Sequence, residues 1–200
     1  MKLISLLEST AAPTMLLEKA GPHSFSCTML DMPPEVCRAV ELMQREIQED
    51  DLASGGLEDE VHVTICYGTH TSNVEDIKAV LREQGEQEHT NGGDGEIEFT
   101  VKGLSTFPPS KHSDGASVLK LDIESEALKT LNAAIRKELQ TTCSFPDYHA
   151  HCTVAYVKTD RVEDLIAKIK NKIEGQSFRA NMVTFSKQDG EQIKFDLATL

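Results

Sequence analysis

The sequence predicts an α+β fold of about seven strands and four helices, because β-branched runs alternate with amphipathic segments of helical spacing. A second observation supports this class: one strand-helix unit occurs twice in the chain. The 200 residues are 39% hydrophobic and 26% charged, which is typical of a globular domain and too apolar for a disordered chain. A chain of this length buries roughly 70% of its unfolded surface, so its core needs no disulfide or metal.

The predicted domain begins with a strand and a helix. A β-rich run covers residues 23–30. Pro33 and Pro34 then favour a helix start. The apolar residues that follow recur at spacings of four and three, which places them on one helical face: Val36, Val40, Met43 and Ile47.

A linker then separates this helix from the second strand. The linker is acidic and contains Gly55 and Gly56, and the β-rich run after it covers 61–68. Asn73 caps a second helix with one apolar face, formed by Val74, Ile77, Val80 and Leu81. The polar, glycine-containing tract 84–95 predicts a flexible loop.

The second half of the chain predicts the remaining strands and helices. In order, these are strands over 96–107 and 117–123, a helix over 125–140, a strand over 150–157, a helix over 162–172, and a hairpin of 178–186 with 192–197. Asp189-Gly190 is the turn of this hairpin.

The duplicated unit carries the pattern HxTxxY. It reads HVTICY at 62–67 and HCTVAY at 151–156, and each copy lies in a β-branched run. A similar helix start follows each copy, VEDI at 74–77 and VEDL at 162–165. Two copies with matching downstream helices indicate an internal duplication, which is the most specific signal in the chain.

The residue types of the repeat fit phosphodiester chemistry. On a strand, residues i and i+2 project from the same side about 7 Å apart, so His62 and Thr64 share a face, as do His151 and Thr153. Two units related by a pseudo-twofold axis would place two imidazoles across a small cleft. One neutral imidazole can accept a proton while the other donates one, and the threonine hydroxyls can bind phosphate oxygens. This scheme needs no metal or other cofactor.

These paired HxT motifs in a duplicated α+β chain resemble the 2H phosphoesterase superfamily, which includes 2′-5′ RNA ligase-like proteins and cyclic phosphodiesterases. The resemblance covers about residues 23–198. It implies a bilobal fold in which antiparallel sheets line a central cleft and helices lie outside. It also implies that His62 and His151 are the acid-base pair and that Thr64 and Thr153 bind phosphate.

The resemblance implies a metal-independent phosphodiesterase that hydrolyses or transesterifies a small substrate with a 2′-5′ linkage, a 2′,3′-cyclic phosphate or a cyclic oligonucleotide backbone. A viral branch of the superfamily, the anti-CBASS phosphodiesterases of phages, degrades the cyclic nucleotide signals of bacterial immunity. The alternative from a different class is a non-catalytic module that binds a nucleotide or RNA in the same cleft.

Three aromatic residues are candidates for substrate binding. By strand alternation Tyr67 and Tyr156 fall on the face opposite the histidines, which favours core packing. If the strands end early, the two rings turn toward a nucleobase instead. Phe107 precedes Pro108-Pro109 at a strand end, where it either stacks on a base or packs in the core.

Two further residues near the second motif have competing interpretations. His149 and His151 form an HxH pair that could bind a metal on one strand face, but no carboxylates or thiolates accompany it at matching spacing. Cys152 points away from the motif face, so it is expected to be a core thiol rather than a nucleophile.

The charge of the chain limits its partners. Lys and Arg number 20 against 33 Asp and Glu, giving a net charge of −13, so no broad surface can track the phosphates of a long nucleic acid. We therefore expect a small nucleotide or cyclic oligonucleotide substrate, no long nucleic acid and no membrane. The sequence does not specify an oligomeric state.

The chain is expected to lie in the cytoplasm, or in the host cytoplasm for a viral protein. Its five cysteines are scattered without a CxxC spacing, which favours reduced thiols over disulfides or zinc. No apolar run approaches the length of a membrane span, and Glu8 interrupts the apolar start, so we expect no export signal.

Residues 1–22 are expected to be an N-terminal arm, and 23–200 a single bilobal domain.

Overall fold

The computed structural model describes residues 24–90, 95–142 and 147–200, and the α+β class is confirmed. The described strands are β1 Ser26–Asp31, β2 Leu52–Leu57, β3 His62–Thr69, β4 Ile97–Phe107, β5 Ser117–Glu124, β6 His151–Val157, β7 Ser177–Ala180, β8 Met182–Ser186 and β9 Gln192–Asp196. The described helices of more than one turn are α1 Pro34–Gln44, α2 Val74–Thr90, α3 Glu126–Glu138 and α4 Val162–Lys168.

The nine strands form one antiparallel sheet in the order β7-β4-β5-β6-β3-β1-β8-β9, with β2 pairing on β6. One half of the sheet is built around β3 and the other around β6. The two halves meet where Val63 of β3 pairs with Cys152 of β6. The duplicated, two-lobed arrangement expected from the repeat is therefore present, and the two HxT strands lie side by side at its centre.

The helices cross between the halves. α1 follows β1 in the first half but packs against β6, whereas α3 follows β5 in the second half and packs against β3. Apolar stripes drive this packing, since the buried residues of each helix recur at helical spacing: Val36, Val40 and Met43 on α1, and Leu128, Leu131 and Ile135 on α3. Each HxT strand is thus backed by a helix of the opposite half.

The linker expected around Gly55 and Gly56 is a strand. β2 contains both glycines and pairs with β6 through Leu52 opposite Val157, so this expectation is wrong. Gly55 allows a close approach here, because a Cβ on this residue would lie 2.4 Å from the ring of Tyr156. Only glycine lets the β2 backbone approach that ring.

The polar tract after residue 84 continues a helix instead of forming a loop. α2 runs to Thr90, so the loop expected over 84–95 begins later, and 91–94 lie outside the described residues. Straight-chain Glu and Gln residues cost little in a helix, which explains the extension. Gly85 allows α2 to pass close to the carbonyl oxygen of Leu197, 3.2 Å from where a Cβ would lie.

The hairpin expected over 178–186 is divided at Asn181. β7 pairs with β4 at one end of the sheet, while β8 pairs with β1 and β9 at the other. The Asn181 side chain donates to Asp196 over 2.7 Å, which fixes the crossing between the two ends. α4 likewise ends at Lys168, four residues before the predicted end.

Within the described ranges, no helix is long and apolar enough to cross a membrane. The N-terminal arm predicted over 1–22 lies outside the described residues, as does Cys143. The other four cysteines, which the structure describes, are not in disulfides; Cys66 and Cys152 are buried, and Cys27 and Cys37 are half-buried.

Candidate active site

The first HxT strand contains a β-bulge. On β3, Thr64 pairs with Met29 of β1 and Cys66 pairs with the adjacent Thr28, so Ile65 is an extra residue with no partner on β1. A bulge of this kind inserts one residue into one strand of an antiparallel pair.

The second HxT strand contains the same bulge. On β6, Thr153 pairs with Lys120 of β5 and Ala155 pairs with the adjacent Leu119, so Val154 is the extra residue. Its position in the HxTxxY repeat is the same as that of the bulge on β3. The two copies of the repeat therefore share a backbone bulge as well as their residue pattern. A chance similarity of residue types would not produce this shared bulge.

The bulges change which face each tyrosine occupies. One inserted residue exchanges the two faces of a strand beyond it, so Tyr67 returns to the face of His62 and Tyr156 to the face of His151. The burial pattern agrees, since both residues at each bulge are in the core: Ile65, Cys66, Val154 and Ala155. The expectation that the tyrosines lie opposite the histidines is wrong because it assumed unbroken alternation.

Both motif histidines are held in the same tautomer. The Nδ1 of His62 lies 2.6 Å from the carbonyl oxygen of Glu60, and the Nδ1 of His151 lies 2.8 Å from that of His149. A carbonyl oxygen only accepts hydrogen bonds, so each Nδ1 carries a proton and donates it. Each Nε2 is therefore the atom left for proton exchange. His62, Thr64, His151 and Thr153 are all half-buried.

The ring of His151 is enclosed by residues of β4 and β5. Phe107 contacts it edge-on, with ring centroids 4.8 Å apart. The ammonium of Lys120 lies 4.3 Å from the centroid of the Phe107 ring. That ammonium forms an ion pair with Asp122 and donates to the hydroxyl of Ser105 over 2.7 Å. Lys120 is only 5% exposed, so a nearly buried cation stands beside this imidazole.

The surroundings shift two pKa values. Burial lowers the pKa of His151, and the positive charge of Lys120 and the nearby His62 lower it further. The opposing effects of Asp122 and of the ring's hydrogen bond to a backbone carbonyl do not cancel this shift. Burial alone would raise the pKa of Asp122, but hydrogen bonds from Lys120 and Ser105 outweigh it and the pKa is lowered. His151 is therefore neutral at neutral pH.

The first half supplies a corresponding carboxylate. Asp31 of β1 pairs with His62, just as Asp122 of β5 pairs with His151. Asp31 accepts hydrogen bonds from the Thr184 hydroxyl at 2.8 Å and from Lys194 at 2.7 Å.

The two halves differ at the residue beside the motif threonine. Met29 pairs with Thr64, whereas Lys120 occupies the same place beside Thr153. Both side chains are nearly buried. Only the half that contains His151 therefore has a nearly buried lysine beside its motif threonine, whereas the lysine on Asp31 in the other half is about half exposed.

Side-chain amides from two helices bind the two bulges. Ile65, which has no paired residue on β1, accepts a hydrogen bond at its carbonyl oxygen from Asn132 of α3 over 2.7 Å. Gln44 of α1 donates to the carbonyl of Val154 over 3.0 Å, and the backbone N–H of Glu58 also donates to it at 3.1 Å. Each helix thereby stabilises the motif strand of the opposite half.

A third bond crosses between the halves near the motifs. The hydroxyl of Tyr148, which precedes β6, donates to the carbonyl oxygen of Thr64 over 3.0 Å. Burial raises the pKa of Tyr148, so its hydroxyl stays protonated and remains a donor. The approach to the second motif is thus fixed to the first motif.

The alternatives raised near the second motif can be compared with the structure. Among the described residues, no group of three or more histidine, cysteine or acidic side chains could hold a metal ion. His149 is exposed. Cys152 is fully buried, as expected of a core thiol, and burial raises its pKa to about 12.

Sequence reasoning did not assign roles to Lys120, Asp122, Asp31 or Asn132. The dipeptide Leu-Asp occurs at 30–31 and 121–122, in the two strands that pair with the motif strands, and could have revealed both aspartates. A lysine between Leu119 and Leu121 in a β-rich run is a signal for an inward-facing cation. Nothing in the sequence marks Asn132, because its role depends on a bulge in a distant strand.

Comparisons with known proteins agree with this arrangement. A family model described as the 2′-5′ RNA ligase superfamily matches residues 32–192, a range that includes both HxT motifs. No curated protein matches the sequence.

Several solved structures share the fold. TT0787 of Thermus thermophilus matches with a TM-score of 0.58 and 13% identity, covering 87% of this chain and 98% of that one. Usb1 of Kluyveromyces marxianus matches with a TM-score of 0.52 and 10% identity, over 87% and 98% of the two chains. LigT of E. coli, solved in complex with phosphate, matches with a TM-score of 0.50 and 14% identity, over 88% and 95%. At these identities the likeness establishes the fold.

Proposed function

Because the chain belongs to the 2′-5′ RNA ligase superfamily, we propose that it is a metal-independent phosphodiesterase acting on a small nucleotide with a 2′-5′ or cyclic phosphodiester. The observation that carries this proposal is the matched tautomer of His62 and His151. Both rings present Nε2 as the exchanging atom, and both belong to adjacent strands of one sheet. A protein that only binds nucleotides has no need for two matched proton-transfer groups.

We assign the general base to His151. Its lowered pKa keeps the ring neutral near pH 7, so Nε2 can accept the proton of an attacking water or of a ribose hydroxyl. His62 is then the general acid, which donates a proton from Nε2 to the departing oxygen. In this scheme the phosphorus–oxygen bond to the nucleophile forms while the bond to the leaving group breaks, and one proton moves at each histidine.

Three further side chains stabilise the phosphate in this scheme. The hydroxyls of Thr64 and Thr153 donate to non-bridging oxygens, and Lys120 supplies positive charge beside Thr153. Because Lys120 is nearly buried, its charge is poorly screened by water and acts strongly on a phosphate at this position.

A substrate panel tests the proposal. Purified protein is incubated with linear 2′-5′ oligoadenylates, 2′,3′-cyclic mononucleotides, and cyclic di- and trinucleotides, and the products are separated by chromatography. The cyclic oligonucleotides are included because the viral branch of the superfamily degrades such signals. We expect cleavage of at least one class, and a 2′,3′-cyclic phosphate product would identify attack by a ribose hydroxyl rather than by water.

The double variant His62→Ala/His151→Ala is the control, and it should leave every compound intact. Tight binding by the wild-type protein with all ligands recovered uncut would contradict the proposal and select the non-catalytic binding module.

A further inference from the structure

The two bulges place a tyrosine on each side of the reaction centre. Along each motif strand the order on the shared face is histidine, threonine, tyrosine, and β3 and β6 run antiparallel. Tyr67 and Tyr156 therefore lie in opposite directions from the point where Val63 pairs with Cys152. A phosphodiester carries one substituent on each side of its phosphorus. With the phosphorus at the centre of the site, one substituent would extend toward each tyrosine.

The ring of Tyr67 forms an open surface. It is 51% exposed, the largest exposed fraction among the described exposed hydrophobic residues. Phe25 contacts it edge-on, with centroids 6.3 Å apart and an interplanar angle of 86°. Phe25 in turn packs against His70 at 5.1 Å. The Tyr67 ring is thus supported by Phe25, and its 51% exposure leaves area for a planar ligand.

The ring of Tyr156 is supported on one side by backbone. It is half-buried and packs on Gly55 of β2, where a Cβ would come within 2.4 to 2.8 Å of three of its carbon atoms. This contact holds the ring in place. The register of β6 sets it on the same face as His151 and Thr153.

A cyclic mononucleotide carries one nucleobase, so it can use only one of these two rings. We propose that the substrate is a dinucleoside phosphodiester, or a longer chain or ring containing one, with one nucleobase stacked on Tyr67 and the other on Tyr156. The position of the phosphate between the two rings rests on the function proposed above. Stacking of a base on an aromatic side chain strengthens binding by about tenfold or more, so two stacked bases would dominate substrate affinity.

Binding tests this inference without requiring turnover. In the inactive His62→Ala protein, calorimetry compares 2′-5′-linked diadenosine monophosphate, its 3′-5′ isomer, and adenosine 2′-methylphosphate, which retains a phosphodiester but lacks the second nucleoside. Of the two dinucleoside isomers, we expect the one with the higher affinity to bind at least about tenfold more tightly than the methyl ester.

Tyrosine variants then assign the two bases. Tyr67→Ala and Tyr156→Ala should each weaken dinucleoside binding about tenfold, whereas only one of them should weaken binding of the methyl ester, since that ligand has a single base. Tyr67→Phe and Tyr156→Phe retain the ring and should bind like the parent. Ile166→Ala, which removes an exposed apolar side chain from α4, is the matched control and should have no effect.

Three results would overturn the inference: no binding of either dinucleoside, equal affinity for the dinucleoside and the methyl ester, or unchanged dinucleoside affinity in both tyrosine-to-alanine variants. Failure of the proposed function gives a different result. A wild-type protein that binds the dinucleoside through both tyrosines but never cleaves it would refute catalysis and leave this inference standing.

Discussion

Val63 and Cys152 face each other where β3 meets β6, and each is the residue that follows a motif histidine. In antiparallel register, the neighbours on either side of this pair are His62 with Thr153 and His151 with Thr64. Each imidazole is therefore adjacent to the hydroxyl of the other motif. A phosphate bound here would contact both copies of the repeat at once, so neither copy is expected to be active alone.

Loss of either motif histidine should abolish most activity. His62→Ala and His151→Ala should each lower kcat by about 10²-fold or more, because each removes one proton-transfer partner. Steady-state kinetics on the substrate found with the panel measure this, with circular dichroism to confirm folding. His149→Ala is the control: its side chain is exposed and only its carbonyl bonds His151, so activity should stay near the wild-type level. Full turnover by either motif variant would remove that histidine from the mechanism.

Lys120 should set the acid limb of the pH profile. Lys120→Met, which copies the equivalent Met29, removes a positive charge that lowers the pKa of His151. The pKa of the base should rise, so the acid limb of kcat/KM should move to higher pH. Loss of charge at the phosphate should also lower kcat/KM by about 10²-fold.

A second lysine provides the comparison for this experiment. Lys102 forms an ion pair with Glu124 at 3.0 Å on the same sheet, but both side chains are more than half exposed. Lys102→Met should leave both the rate and the pH profile unchanged. An unshifted acid limb in Lys120→Met would show that His151 is not the group titrating there.

Chelation should not affect turnover. The proposed mechanism moves protons through two imidazoles and requires no Lewis acid, so hydrolysis in excess EDTA should proceed at the untreated rate. Loss of activity on chelation that a divalent ion restores would favour the interpretation in which His149 and His151 bind a metal.

Asn132 should matter more for stability than Gln44. Asn132→Leu leaves the carbonyl of Ile65 without its side-chain partner, which should cost about 1–3 kcal/mol of unfolding free energy. Gln44→Leu should cost less, because the backbone N–H of Glu58 still donates to Val154. Urea denaturation of both variants measures the difference. Equal losses in the two variants would mean that the backbone N–H of Glu58 does not compensate for the missing Gln44 amide.

Binding should depend weakly on salt and on chain length. The net charge of −13 repels a long nucleic acid, so only a few phosphates can be contacted. We expect log K against log salt to have a slope on the order of −1 to −2, and affinity to change little beyond a trinucleotide. A steep slope with tight binding to tRNA would instead reveal a basic track that charge counting does not detect.

The parts of this protein that local patterns determine were predictable from the sequence. Apolar spacing identified α1 and α2, and the repeated HxT motif identified the histidines and threonines now found on one face of adjacent strands. These features depend on residues close together in the chain. Side chains alternate between the two faces of β3 from His62 to Thr64, and the alternation is broken by the bulge at Ile65. A bulge depends on how the partner strand pairs, so the sequence of β3 alone does not reveal it.

Long-range contacts account for the other differences. β2 was missed because Gly55 is explained only by the Tyr156 ring packed against it. The Lys120–Asp122 pair could not be assigned to His151 until the register of β5 on β6 was known. In each case the deciding partner lies far away in the sequence, where spacing rules give no information.

The crossing of α1 and α3 between the halves bears on the ancestry of the chain. Half of this protein, alone, would expose the apolar face of its helix and would lack the helix that covers its own HxT strand. Two identical halves would satisfy both needs as a symmetric dimer, with one site on the twofold axis. Such a dimer must carry the same residue beside both threonines. Fusion into one polypeptide removes that restriction, and it allows lysine at 120 while methionine occupies 29, an asymmetry that the opposite proton transfers proposed for the two motifs require.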